Sequence, residues 1–195
     1  MSNDFKTKYG HDNWYDWRLD AWNTKWNAYS QRREGNIIFF DTAWSTPYPI
    51  FQKLSEIFPQ VTINVKFADE DFGYNCGNYV YEEGVDVFEE LPQGGTYEAY
   101  KFANEIKCYY NHIEEIIEGI NDLDNDNLEG EYSKFFYELL IEKSNELTQE
   151  DINSLEQEKI EAIINTLKRL NSDGTHKDLI DKLEESLDNK ITFFS

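Results

Sequence analysis

The side chains able to do covalent chemistry are few: two cysteines, Cys76 and Cys108, and three histidines, His11, His112 and His176. Cys108 and His112 stand four apart, so a continuous helix would bring thiol and imidazole to one face. A reactive thiolate needs an electropositive setting, and the surrounding sequence is acidic. The pair therefore reads as a buried structural thiol beside a helix-surface histidine. No Cys/His spacing follows a zinc-ligand pattern. The glycine-rich phosphate loops G-x-G-x-x-G and G-x-x-x-x-G-K-[ST], and the G-x-S-x-G nucleophile turn, are absent from the sequence.

Carboxylates are the abundant reactive group, 39 against 18 Lys and Arg. Asp122, Asp124 and Asp126 occupy positions 1, 3 and 5 of an EF-hand-like loop. Asn127 replaces the glycine at position 6 and Ser133 the bidentate glutamate at position 12, so the segment reads as a solvated acidic loop. No metal and no cofactor is expected. Three further clusters are Asp69-Glu70-Asp71, Glu82-Glu83 and Glu89-Glu90. They have two readings. One is solubility alone. The other is an acidic face that imitates a phosphate backbone and occupies a basic groove on a partner.

Charge is unevenly placed. Residues 1–66 carry 8 Lys and Arg against 7 Asp and Glu, a net of +1, whereas residues 67–195 carry 10 against 32, a net of −22. Direct binding to nucleic acid needs the opposite sign, because cationic side chains must displace counterions. An anionic membrane surface is disfavoured for the same reason. Such a field attracts a basic protein surface. The expected partner is a basic, nucleic-acid-handling protein.

Five tryptophans form the other distinctive set: Trp14, Trp17, Trp22, Trp26 and Trp44. Trp22, Trp26 and Tyr29 would share a face if the segment were one helix. These indoles either cover an open sheet face or form an aromatic platform for a ligand.

The elements that must position these groups follow from periodicity. Ile37–Phe40 is an apolar run typical of a covered strand. Pro47 and Pro49 lead into a helix marked by Ile50, Phe51, Leu54, Ile57 and Phe58, and Pro59 ends it. Val61, Ile63, Val65 and Phe67 alternate with polar residues, as in a half-buried strand. This strand–helix–strand order predicts a crossover that lays the helix on one sheet face. Hairpin strands follow at 74–81 and 85–88, and Pro92-Gln-Gly-Gly95 marks a boundary. Residues 1–13 read as frayed. From 96 onward the period is helical, and about four helices are expected: one over Tyr97–Gly119, a second from Tyr132, a third capped by Thr148 and running to Leu170, and a fourth from Leu179. Neither a secretory signal nor a transmembrane stretch is evident, so a reducing, cytoplasmic setting with free thiols is expected.

Trp22-Asn-Thr-Lys-Trp26, Phe40-Asp-Thr-Ala-Trp-Ser-Thr-Pro-Tyr-Pro49, Phe58-Pro59 and the strand carrying Gly73 and Gly77 form a set of motifs within residues 14–88. In these motifs the segment resembles the Api92/YubB-like family of phage and plasmid proteins. Asn23 stands where the family has glycine, and Thr46 where it has a first proline. The resemblance implies a ferredoxin-like domain and a mobile-element context, and it assigns no activity. Ferredoxin-like names the fold, since two cysteines cannot supply the usual four thiolates of an iron–sulfur cluster.

The expectation is thus an α+β protein: a small ferredoxin-like antiparallel sheet with a helix crossover over 14–92, then an acidic helical region over 96–195. Its expected role is that of a phage or mobile-element accessory protein in a bacterial host cell. It would be a non-enzymatic binder that inhibits a host defence or nucleic-acid-processing protein, of anti-CRISPR or anti-restriction type, and a nucleic-acid mimic. The alternative is a small-molecule binder or enzyme with a Trp-lined pocket.

Overall fold

The computed structural model describes residues 3–123, 130–170, 174 and 176–193. The chain divides into two compact units. One comprises Met1–Asp71 with Asn75–Pro92, the other Phe72–Tyr74 with Gln93–Ser195.

The first unit begins with α1 (Asn3–Tyr9) and α2 (Trp14–Trp22). The N-terminus expected to fray is thus helical from Asn3. Lys6 pairs with Asp12 at 2.8 Å, and Tyr9 packs on Trp17 with ring centres 5.5 Å apart. A two-stranded ribbon follows, β1 (Tyr29–Glu34) and β2 (Ile37–Asp41), antiparallel with Arg33 opposite Ile38. Then come α3 (Tyr48–Ile57), β3 (Ile63–Ala68), β4 (Cys76–Glu82) and β5 (Val85–Glu90). The last three form an antiparallel sheet in the order β3-β4-β5.

The predicted strand–helix–strand order is present, but β2 pairs with β1 and β3 with β4, so α3 links two sheets. Proline in the first turn suits α3, because that N–H has no helical partner to lose. The helix buries Phe51 against Tyr81, with ring centres 6.2 Å apart, and Val65 completes a small core flanked by Phe40, Ile63 and Tyr79. Alternation in β3 places Val65 inside and Asn64 and Lys66 outside, as the period of two requires.

The second unit is helical: α4 (Tyr97–Lys107), α5 (Ile113–Asn121), α6 (Glu131–Glu146), α7 (Gln149–Ser154), α8 (Gln157–Leu170) and α9 (Lys177–Phe193). Among the described residues there are six helices where about four were expected. Both extra breaks have local causes. The run from Tyr97 stops at Cys108, whose left-handed backbone (φ 55°) lets its N–H bond the Asn104 carbonyl at 2.8 Å. Asn104 then clamps Tyr110 at both backbone groups, at 2.9 and 3.3 Å, and His112 restarts the helix. The run from Thr148 breaks at Leu155, which is extended (ψ 146°).

The helical core includes Tyr100, Ile113, Ile116, Ile120, Phe135, Phe136 and Leu140 with Ile152, Ile160, Ile163, Leu167 and Leu183. Phe72 enters it and packs on Tyr100, Tyr110 and Phe135 at ring separations of 5.8, 5.4 and 5.7 Å. Gly119 sets the approach of α5 to α6, since a Cβ there would lie 2.2 Å from the fully buried Phe136 ring.

Two capping boxes hold helix starts. Thr148 and Asp151 exchange bonds at α7, and the Glu115 carboxylate accepts the N–H groups of Asn111 and His112 at α5. The bonds from the Thr148 hydroxyl and N–H hold the Asp151 carboxyl below its ordinary range, and the His112 and Asn111 N–H groups do the same for Glu115.

Two outcomes check this packing. Gly119→Ala is expected to destabilise the chain by about 1–3 kcal/mol through overpacking, more than the roughly 1 kcal/mol that alanine gains as a helix former. Urea denaturation reads the loss, and adding Phe136→Leu should recover part of it; strict additivity of the two changes would rule the contact out. For Asp151 the folded pKa is lowered, so its contribution is full above the unfolded pKa and fades as pH falls through the folded one. The difference in melting temperature between wild type and Asp151→Asn should therefore be present at neutral pH and vanish in acid.

Candidate functional site

Strand register decides where the acidic clusters of the first unit lie. Ala68 pairs with Cys76, and Asn78 with Glu90, so the end of β3, the start of β4 and the end of β5 share one end of the sheet. Asp69, Glu70 and Asp71 follow β3 directly, and Glu89 and Glu90 close β5, so these five gather at that end. Glu82 pairs with Val85 at the other end, six positions along β4 from Cys76, or about 20 Å at a strand rise of 3.3 Å. Glu82 and Glu83 therefore stand apart from the other five.

The acidic side chains also differ in role. Asp69 is half-buried and holds the β3–β4 turn, with its carboxylate accepting the Asp71 N–H at 3.2 Å and the Asn75 amide at 2.8 Å. Glu70, Asp71, Glu89 and Glu90 are exposed. Glu82 accepts the Thr62 hydroxyl at 2.8 Å. Glu83 and Gly84, with φ of 49° and 85°, form the β4–β5 turn. Two consecutive left-handed residues are the signature of a hairpin turn that matches strand twist. The turn is anchored on α3: the Gly84 N–H donates to the fully buried Ser55 hydroxyl at 2.9 Å, and Gln52 donates to the Gly84 carbonyl. In the second unit, Asp122 caps the C-terminus of α5 and is exposed. Asp124 and Asp126 lie outside the described residues.

Trp22, Trp26 and Tyr29 do not share a helical face, since Tyr29 lies in β1. Helix α2 ends at Trp22, and none of the five indoles belongs to the buried core of the first unit. They divide into two groups, each built on a cation. The Arg18 guanidinium lies 4.8 Å from the Trp14 ring and 5.3 Å from Trp22, which packs edge-on to Trp17. The Lys25 ammonium lies 4.9 Å from Trp26 and 4.6 Å from Trp44.

Two loops build this second group. Asn23 is left-handed (φ 59°) and caps α2, and its amide donates to the Thr46 carbonyl at 3.0 Å. Ser45 donates to the Asn23 carbonyl, Lys25 N–H to Ala43 O at 3.4 Å, and Thr42 to Ser45 O at 2.9 Å. Thr24 is buried and donates to Trp26 O at 3.0 Å. The result is a cross-braced pair of turns. Trp44 sits in it at φ 75° with 62% of its surface exposed. A bulky residue in that region costs about 1–3 kcal/mol and persists only where its surroundings hold it there. Nothing in the residue order signals this conformation, which is why sequence reasoning singled out the tryptophans and passed over Lys25.

Cys108 ends α4 and His112 begins α5, so no continuous helix brings thiol and imidazole to one face, and Cys108 is exposed where a buried thiol was expected. Among the described residues no cluster of three or more His, Cys, Asp or Glu could hold a metal. Burial pushes the Cys76 thiol up, and burial with the nearby Asp86 carboxylate pushes the Tyr81 phenol up to about 12. Burial and a hydrogen bond with Glu138 do the same for Tyr97, up to about 12. These shifts lead away from neutrality, and so from the range a general acid or base needs. Two shallow clefts among the described residues lie in the helical unit. One, of about 210 Å³, lies between α4 and α6 and is lined by Tyr97, Lys101, Cys108 and Leu139, and the other lies between α8 and α9. Neither has a tryptophan in its lining.

Residues 21–119 match the family described as the ferredoxin-like domain in Api92-like protein, slightly more than half of the chain. The chain belongs to this family. The Api92-like match begins after Trp14 and Trp17, includes both braced turns, and runs past β5 through α4 into α5. It thus reaches further into the helical part than the motif resemblance over 14–88. Asn23 caps α2 in the left-handed region, where asparagine is the residue besides glycine that readily serves. No curated protein and no solved structure matches the chain.

Glu83 offers a check on these placements. Glu83→Asn supplies the residue that such a turn prefers and is expected to raise stability by about 1 kcal/mol, read as a higher melting temperature. A fall in stability would show that the glutamate is held there by a contact of its own.

Proposed function

We propose that this Api92-like protein is a non-enzymatic binder, an accessory product of a phage or other mobile element that works in the bacterial cytoplasm. In this reading it inhibits a basic host protein of defence or nucleic-acid processing, of the anti-CRISPR or anti-restriction kind, by imitating a phosphate backbone. The observation that carries the reading is the sheet register, which gathers Asp69, Glu70, Asp71, Glu89 and Glu90 at one end of the β3-β4-β5 sheet. Such a concentration of one sign attracts a basic groove and accelerates encounter with it. The net charge of −21 argues against direct binding to nucleic acid. No helix among the described residues is long and apolar enough to cross a membrane.

The test compares wild type with a variant carrying Glu70→Lys, Asp71→Lys, Glu89→Lys and Glu90→Lys. Asp69 is left intact because it holds the turn. Both proteins are immobilised, exposed to nuclease-treated host lysate and eluted with rising salt. Wild type is expected to retain one basic, nucleic-acid-handling protein, to release it as salt rises and to lose it to added duplex DNA. The variant should retain at least about tenfold less, in keeping with the usual size of electrostatic steering. Equal capture by the variant, or indifference to duplex DNA, would overturn the imitation of a phosphate backbone.

A further inference from the structure

The Lys25 group is a surface that the acidic reading leaves unused. In a chain with 39 carboxylates, the Lys25 ammonium has two indole faces as neighbours and, among the described residues, no carboxylate in ion-pairing range. An ammonium carries three N–H donors, and indole faces satisfy its charge without accepting conventional hydrogen bonds. Trp26 and Trp44 are 45% and 62% exposed, so each keeps π-surface open to solvent. The backbone of Trp44 is held in the left-handed region (φ 75°) by turns braced at Thr42, Ser45 and Asn23. A strained backbone that presents a wet indole is not explained by burial. It is the form expected of a preorganised binding group.

We infer that Lys25, Trp26 and Trp44 form a binding site for a single nucleotide unit, a flat heterocycle bearing a phosphate. The heterocycle stacks on exposed indole and the phosphate receives the ammonium donors. Stacking of a base on an aromatic side chain is tolerant of base identity, so little discrimination among bases is expected. The site holds one ammonium, whereas a single strand brings many phosphates to a chain with a net charge of −21. That count favours one nucleotide over a polymer. The inference is independent of the acidic end of the sheet, and either can fail alone.

The experiment uses the full chain labelled with ¹⁵N. Five tryptophans give five indole N–H signals. Adenosine monophosphate, adenosine and a short oligothymidylate are titrated separately. The monophosphate should shift the Trp26 and Trp44 signals saturably and leave those of Trp14 and Trp17 in place. Trp44→Gly relieves the strained backbone and removes the stacking face. It should raise the melting temperature yet weaken monophosphate binding by about tenfold or more. Lys25→Gln should cost monophosphate affinity more than adenosine affinity, so that the difference between the two ligands narrows. No saturable shift up to about 10 mM monophosphate, or equal affinity in Trp44→Gly, would overturn the site. An oligothymidylate that binds more tightly than its own mononucleotide, beyond the number of units it offers, would overturn the single-nucleotide assignment in favour of a strand.

Discussion

With 39 carboxylates against 18 basic groups, the elements that form the cores must bury an apolar face while keeping their acids in water. Helix α5 shows the solution: Ile113, Ile116, Gly119 and Ile120 face inward, and Glu118 faces out. The same rule puts Ile163 and Leu167 inside on α8. Acids that approach the backbone are used as caps, at Glu115 and Asp151, where the free N–H groups of a helix start favour a negative charge. The fold thus tolerates its charge by assigning carboxylates either to helix starts and turns or to solvent.

The two units meet this constraint differently. The helical unit has a continuous core that includes Phe136, Leu140, Ile152 and Leu183, all with no exposed surface. The first unit has a small cluster of three buried residues, Phe51, Val65 and Tyr81, and its turns are held by hydrogen bonds. Its β4–β5 turn hangs on Ser55 and Gln52, its β3–β4 turn on Asp69, and its Trp44 turn on Asn23. A thin core braced by polar contacts leaves much of its aromatic surface wet, and that surface is arranged around cations. An indole face attracts a cation through its quadrupole, so Arg18 and Lys25 order the tryptophans that burial does not.

Much of the architecture was legible in the residues. The alternation of Val61 to Phe67 marked β3, Pro47 and Pro59 bracketed α3, and the change of period after Gly95 marked the helical region. These are local signals, set by side-chain direction and by the backbone limits of proline and glycine. Helix breaks were less legible. The stop at Cys108 depends on Asn104 reaching Tyr110, a bond that no periodicity encodes. The tryptophan segment misled for a related reason, because indoles at helical spacing look alike whether the helix ends at Trp22 or continues to Tyr29.

The sequence by itself determined the charge and its asymmetry, the family, the identity of most strands and helices, and the lack of recognisable catalytic loops. These depend on composition and on neighbours a few residues apart. Tertiary structure alone decided which acidic clusters share an end of the sheet, because that follows from strand register over many residues. It alone placed Lys25 between Trp26 and Trp44, because two turns some twenty positions apart had to be braced against each other before one ammonium could meet both rings. Contacts between distant positions are fixed by packing and hydrogen-bond geometry, and the order of residues carries no separate record of them.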